Sequence, residues 1–537
     1  MKILLIVIDG LSFHLMERFR YNLPTFQEME EEGVYGSLES SYPSITPVAL
    51  ASLFTGFNPK THGVVAPRIF IKGRKIQSSL SAFSSNSLLV DPIWSVLGKK
   101  GFKVVVTSAP QALPDRWELD NVVLFDPYKA KVKKCSESFV LKPGENEVLG
   151  GNWVVKKTDG GHIVTIEGKE IELKGQDWIG PLEIKGKCGE EELLGTVFLH
   201  NKEEGVYVTQ PAFLNYKWGN RRELVSKVWE NVVKKVGMIL DGDYRALNKG
   251  LISFEEYLKT VDLAFNFFVE YSLYVLKLEE WDFGITYLPI VDNLQHLLYG
   301  IDDGRAFESI FNGYKIADRF VMLHRSLADN IFVCSDHGIT KIKKRVYINK
   351  ILERLNVLKI ENGKINWGKT KAFYGGGGII RVNLREREEA GVVNSKEYQR
   401  LVRYIVKNLE EVKDESGETI FTGIYMRDSP AVDRQGDIEL STRDFFSLSS
   451  NTEHDNEIES VKPYVTTTGD HGYYRKEDLY GIIIASGNEI AKGKKIKAKI
   501  VDVAPTILKI MGIQNSKTEG RVLVEALRNG SQEQKTS

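Results

Sequence analysis

Histidine and cysteine are scarce in this chain, nine and three among 537 residues. Cys135, Cys188 and Cys334 are widely separated and odd in number. That excludes a disulfide framework or a zinc knuckle as the basis of the fold, and the three read as buried free thiols in a reducing compartment. Charge of one sign is also missing, since 72 basic residues balance 72 acidic ones. No global field draws the chain toward nucleic acid or an anionic membrane. Apolar runs are short, and none approaches the roughly 20 residues of a spanning helix. The first, Ile3–Ile8, stops at Asp9 without a small-residue cleavage site, so it reads as a buried strand and not as a signal peptide. These readings place the protein in the cytoplasm, with neither a membrane nor a nucleic-acid duplex among its partners. No repeat of solenoid length is visible.

At 42% hydrophobic and 27% charged residues, the chain can bury a sizeable core. Its length fits one large domain with insertions, or two to three domains. Val/Ile-rich strand candidates at Ile3–Ile8, Lys103–Thr107, Phe283–Pro289, Ile331–Cys334 and Gly481–Ala485 suit a parallel sheet buried on both faces. Helix candidates at Ile93–Lys100, Phe254–Leu278, Arg305–Leu327 and Ile500–Met511 alternate with them. The alternation predicts an α/β fold with a doubly wound sheet, an α/β/α sandwich. Two segments break the rhythm. Residues 126–215 show period-two alternation and read as inserted antiparallel hairpins, while 341–460 read as a smaller α+β insertion with a helix near Ser395–Leu409. The core is then made of residues 1–125, 216–340 and 461–528, and 529–537 read as a disordered tail.

The chemistry-bearing residues sit at strand ends. Asp9 ends the first strand. Asp292 follows the Phe283–Pro289 run, with His296 four residues on, one helical turn away on the same face. Asp336 and His337 end the next strand in Ser335-Asp336-His337-Gly338, and His471 lies in a second such tripeptide, Gly469-Asp470-His471-Gly472. Three carboxylates and three imidazoles at one sheet edge suit divalent cations, zinc first and manganese as the alternative. Six ligands exceed the needs of one catalytic zinc, so two metals are the economical reading. Thr46, followed by Pro47 and an apolar run to Phe54, reads as a helix N-cap whose hydroxyl faces free N–H groups where a phosphate is favoured. Metal coordination would make that hydroxyl a competent nucleophile.

In order along the chain, Val7-Ile8-Asp9-Gly10, Ser44-Ile45-Thr46-Pro47 leading to Thr55–Gly63, Asp292 to His296, and the two Asp-His-Gly elements resemble the alkaline phosphatase superfamily. The similarity is greatest to its type I phosphodiesterase/nucleotide pyrophosphatase branch. Gly481–Ser486 through Asp502-Val503-Ala504-Pro505-Thr506 to Gly520-Arg521-Val522-Leu523 resembles the closing strand and helix of that family. The resemblance implies an alkaline-phosphatase-like fold with inserted cap segments and a metal-dependent hydrolase of phosphodiester or pyrophosphate bonds. It implies one metal held by Asp9, Thr46, Asp336 and His337 and another by Asp292, His296 and His471. Thr46 would form a phospho-enzyme that water then releases, and the substrate would be a small phosphate ester such as a nucleotide.

Pro67 stands where the family carries an Asn that donates to a phosphate oxygen, which weighs against a nucleotide but not against phosphoryl transfer. A sulfatase would need a modifiable Cys or Ser where Thr46 stands. The alternatives are a phosphomonoesterase, a phosphoglycerate-mutase-like phosphotransferase, or a catalytically inactive metal-binding protein. Trapping with isotopic water separates hydrolysis from transfer. Among the other polar residues, His62 reads as structural, Arg68 as a surface cation, Asp470 as a loop residue, Gly375–Gly378 as a turn and the lysines of 492–499 as a solvated surface.

Overall fold

A computed structural model describes residues 1–132, 135, 137–472, 479–514 and 517–528; the tail expected at 529–537 lies outside the described residues. An eight-stranded sheet forms the centre. Its order across the sheet is Lys494–Lys499, Val34–Glu39, Gly481–Gly487, Asn330–Cys334, Ile3–Ile8, Phe283–Leu288, Val104–Val106, Val122–Leu124. Every residue of Ile3–Ile8 is buried. Complete burial of such a side chain stabilises by about 1.5–3 kcal/mol, so this strand anchors the core.

The sheet is mixed, not wholly parallel. Gly481–Gly487 runs antiparallel to both neighbours, and the remaining pairs are parallel. Hydrophobicity alone does not reveal this, because a strand buried on both faces looks the same in either direction. The Lys494–Lys499 segment, expected as plain solvated surface, is an edge strand. Its Ile496 and Ala498 are buried while the lysines stay exposed, a pattern that discourages edge-to-edge association.

The central register positions the site. Ile8 pairs with Leu288 and Val7 with Cys334. The chain segments carrying Asp9, Asp292 and Asp336 therefore leave the sheet at the same edge. The long helix Phe254–Leu278 starts at a capping box in which Ser253 and Glu256 exchange hydrogen bonds.

Two satellite bodies surround this core. Strands between Phe139 and Phe213 build two antiparallel sheets around their own apolar cluster, including Leu141, Trp153, Leu173 and Val197. His200 ties this body to the core: its Nε2 meets Glu256 Oε1 at 2.7 Å, and its ring stacks on Trp178. A second body lies around Ser395–Glu410 and the sheet Ala372–Tyr374, Ile379–Val382, Ile438–Thr442, Phe421–Met426. Its apolar cluster also takes in Ala66, Phe70 and Ile76 from the loop after the Thr46 helix. That loop is thus part of the inserted lobe's core.

The cysteine reading needs correction. Cys135 and Cys188 form a disulfide within the first insertion, while Cys334 is a buried free thiol. The pairing joins residues 53 apart on different strands, a proximity that spacing cannot show. It removes the thiol argument for a reducing compartment. No helix among the described residues is long and apolar enough to cross a membrane.

Candidate active site

Thr46 opens the helix Thr46–Thr55. It was expected as the N-cap, but Ile45 is: Ile45 keeps extended angles, and its carbonyl accepts from Ala49 N–H (2.9 Å), the first intrahelical bond. Thr46 is instead the first helical residue. Its hydroxyl is not consumed by capping and lies 3.1 Å from His337 Nε2.

The three carboxylates converge. Gly10 follows Asp9 with φ +70°, and a Cβ there would come within 2.9 Å of the Asp292 side chain. Glycine is what lets the Asp9 turn pass so near the Asp292 helix. Gly10 N–H donates to Asp336 Oδ1 (3.1 Å). Asp292 and His296 face the same way on Ile290–Leu298, Oδ2 to Nε2 3.3 Å. His337 Nε2 lies 3.1 Å from Asp336 Oδ2 and 3.4 Å from Asp9 Oδ1. His471 Nε2 lies 3.2 Å from His296 Nε2 and 3.8 Å from Asp292 Oδ1, and its ring stacks on His337 at 3.5 Å.

All three histidines are oriented alike. Nδ1 of His296, His337 and His471 meets the carbonyl of Gly469 (2.8 Å), Gly338 (2.9 Å) and Ser44 (2.7 Å) respectively. A carbonyl can only accept, so each Nδ1 carries the proton and each Nε2 presents a lone pair in the neutral ring. Those lone pairs point toward one another and toward carboxylates. Asp9 Oδ1, Asp292 Oδ1 and Asp336 Oδ2 are buried without a hydrogen-bond partner among the described residues. Buried, unpaired carboxylate oxygens beside convergent Nε2 atoms are what a bound cation satisfies. The donor set therefore fits divalent metals. Three clusters have ligand atoms within 4.8 Å of one another: Asp9–Asp336–His337, Asp292–His337–His471 and His296–Asp470–His471.

Electrostatics agree. Burial and then the Asp336 and Asp292 carboxylates push Asp9 well above the ordinary carboxyl range. Burial disfavours charge on His337, but Asp336 outweighs it and the ring rises to about 10. Burial likewise opposes charge on His296, yet Asp292 raises it to about 9. His471, buried beside His337, falls to about 4. Despite its burial, Asp292 is held below the usual range by His296. Without cations the cluster retains protons; metals displace them on binding.

Two residues were missed as site components. Asp470, read as a loop residue, places its carboxylate with His296 and His471 and accepts from Ser447 of the inserted lobe. Tyr287 donates its hydroxyl to Asp9 Oδ2. Tyr287 comes beside Asp9 through the pairing of its strand with Ile3–Ile8, which the sequence does not reveal. His62 is structural: it is buried neutral, with a pKa pushed by burial to about 3, and Nε2 meets Ser52 Oγ at 2.9 Å on the Thr46 helix. Arg68 lies over the Phe373 ring of the inserted lobe.

The type I phosphodiesterase / nucleotide pyrophosphatase family model matches residues 3–474. Among solved structures, human ectonucleotide pyrophosphatase/phosphodiesterase 5 is 13% identical with a TM-score of 0.52, covering 98% of this chain and 100% of that one. The murine protein gives the same values. An inactive murine variant in complex with AMP matches with a TM-score of 0.51 at 13% identity, over 98% of this chain and 100% of that one. At such identity the likeness speaks for the fold alone, which is alkaline-phosphatase-like. No curated protein sequence matches the chain. The match across 3–474 settles the family: the chain belongs to the type I phosphodiesterase/nucleotide pyrophosphatases and is a hydrolase of that class.

Proposed function

We propose that this chain hydrolyses phosphodiester or pyrophosphate bonds through a covalent phospho-Thr46 intermediate at a two-metal site. The observation that carries the reading is the Thr46 hydroxyl at a helix start, 3.1 Å from His337 Nε2 and among unpaired carboxylate oxygens. Asp9, Thr46, Asp336 and His337 would hold one ion, and Asp292, His296 and His471 the other. Zinc is the first choice and manganese the second, given oxygen and imidazole donors. When bound, the ions supply charge neutralisation for entering and leaving oxygens and lower the pKa of the threonine hydroxyl.

The chain's own groups do the rest. Among the described residues the Thr46 N–H has no acceptor, so it is left to a phosphoryl oxygen at the positive end of its helix. Thr46 Oγ1 attacks phosphorus, the bond to the leaving oxygen breaks, and the leaving group departs with a proton. Water then cleaves the Oγ1–phosphorus ester and restores the hydroxyl. The backbone carbonyls on Nδ1 hold the three imidazoles in one tautomer throughout. A related protein was solved with AMP, which supports a nucleoside phosphate as one half of the substrate. Pro67, without a donor, makes the Thr46 N–H the more important phosphate contact here.

The test is Thr46→Ala. It should abolish turnover of an aryl phosphodiester while metal content stays at the wild-type level. Retained turnover refutes the nucleophile.

A further inference from the structure

A cavity of about 420 Å³ opens beside the nucleophile. Thr46, Asp9 and Asp292 stand in its wall, and Phe83, Tyr128 and Tyr287 give it aromatic surface. That volume lies in the range of small-molecule sites. Its polar groups are unequal. Asp241 is already satisfied: it accepts from Tyr128 OH at 2.8 Å and pairs with Lys131 Nζ at 3.0 Å. Lys129 directs its Nζ to the Phe83 carbonyl, 2.8 Å away.

Asp126 differs. It lines the cavity and is only 3% exposed. Among the described residues its carboxylate accepts one hydrogen bond, from the Tyr128 backbone N–H (3.2 Å). No side chain pairs with it. Burial leaves the carboxyl raised to about 6, with Lys129 only partly offsetting that burial. Near neutral pH and above the carboxylate is ionised, with one backbone donor and acceptor capacity left on the cavity wall. A largely buried carboxylate gains from any further hydrogen that a ligand supplies. A ligand amino group in the cavity would supply it through a charge-assisted bond. A ligand carbonyl oxygen in the same place would face the carboxylate lone pairs and be repelled, and a hydroxyl would donate one neutral hydrogen bond without the ammonium charge.

We propose that Asp126 selects the substrate, accepting hydrogen bonds from an amino group on the ester moiety of a phosphodiester seated in the Phe83–Tyr128–Tyr287 cavity. This rests on the phosphodiesterase reading above. The amino group has two sources, an amino-bearing nucleobase or an alkylamine alcohol, and both present the same chemistry to Asp126.

Matched p-nitrophenyl diesters test it at pH 8. One pair is the cytidine and uridine 5′-phosphate esters, which differ by amino against oxo. The other is the phosphoethanolamine ester against its hydroxyethyl analogue. Wild-type enzyme should favour the amino member of one pair by about tenfold or more in kcat/KM, and the pair that responds names the source. Asp126→Asn, which keeps the turn cap, should bring that ratio within about twofold of unity. Competitive inhibition of wild-type enzyme by cytidine 5′-phosphate against uridine 5′-phosphate, and by phosphoethanolamine against its hydroxyethyl analogue, gives the same comparison without the variant. Ratios near unity in both pairs, or a ratio that survives in Asp126→Asn, overturn the assignment. Bis(p-nitrophenyl) phosphate separates the failures. If wild-type enzyme cleaves it while the ratios are flat, only the role of Asp126 is lost; if it does not, the phosphodiesterase reading falls as well.

Discussion

Asp437 offers a severe test of how the inserted lobe is held together. Its carboxylate is fully buried and accepts five hydrogen bonds: from Arg387 Nη1 and Nη2 (2.8 Å each), Val382 N–H (2.8 Å), Ala431 N–H (3.0 Å) and Tyr398 OH (3.1 Å). Asp437→Ala leaves two buried backbone donors unpaired and removes one of the two buried carboxylates beside Arg387, so that Arg381 and Arg387 are left with the single charge of Glu388. Breaking one side of such a pair costs about 3–5 kcal/mol. Urea unfolding followed by hydrogen exchange at the Val382 and Ala431 amides should show a loss of that size, centred on this lobe. The charge also sets a pH direction. Burial alone would raise the Asp437 pKa, but Arg387 outweighs it and the folded value is lowered. Its contribution is therefore complete above the unfolded carboxylate pKa of about 3.9 and disappears as pH falls below that toward the folded value. Replacing both partners, Arg387→Met with Asp437→Leu, should recover part of the loss, because no charge is then stranded while the Val382 and Ala431 amides still lack their acceptor. A loss under about 1 kcal/mol for Asp437→Ala, small for a buried charged network, would mean that this network does not hold the lobe together.

Other outcomes follow from the site and the insertions. Asp292→Ala or His471→Ala should lower bound metal by about one equivalent per chain, and unchanged metal analysis would sink the two-ion assignment. Excess chelator should inactivate the enzyme and lower its melting temperature, with zinc or manganese restoring both; full activity in chelator contradicts a metal mechanism. Tyr287→Phe removes the donor to Asp9 and should weaken metal affinity by about 10–100-fold, read by competition with a chromophoric chelator. Opening the Cys135–Cys188 bond, which spans 53 residues, should destabilise the first insertion by about 4 kcal/mol on the loop-entropy relation, measured by denaturation with and without reductant.

Much of the core was legible because its signals are local. The apolar run Ile3–Ile8 ending at Asp9, the four-residue step from Asp292 to His296, and the start of Phe254–Leu278 behind Ser253 each depend on neighbours within a few residues. The seven residues singled out around Thr46 do meet at one sheet edge, because parallel pairing of Ile3–Ile8 with both flanking strands aligns their ends. Which side chains are available, and which elements carry them, is therefore written in local sequence. Tertiary structure alone decided how they face. The tautomers of His296 and His471 come from carbonyls distant in the chain, Gly469 and Ser44, whereas His337 uses the adjacent Gly338. The antiparallel course of Gly481–Gly487, the Cys135–Cys188 pairing and the recruitment of Phe70 into the inserted lobe leave no local trace. The same is true of Asp470 and Tyr287, whose roles rest on partners from other elements. The reason is physical: hydrogen-bond direction and burial are properties of contacts between segments, and periodicity within a segment carries no record of its partner.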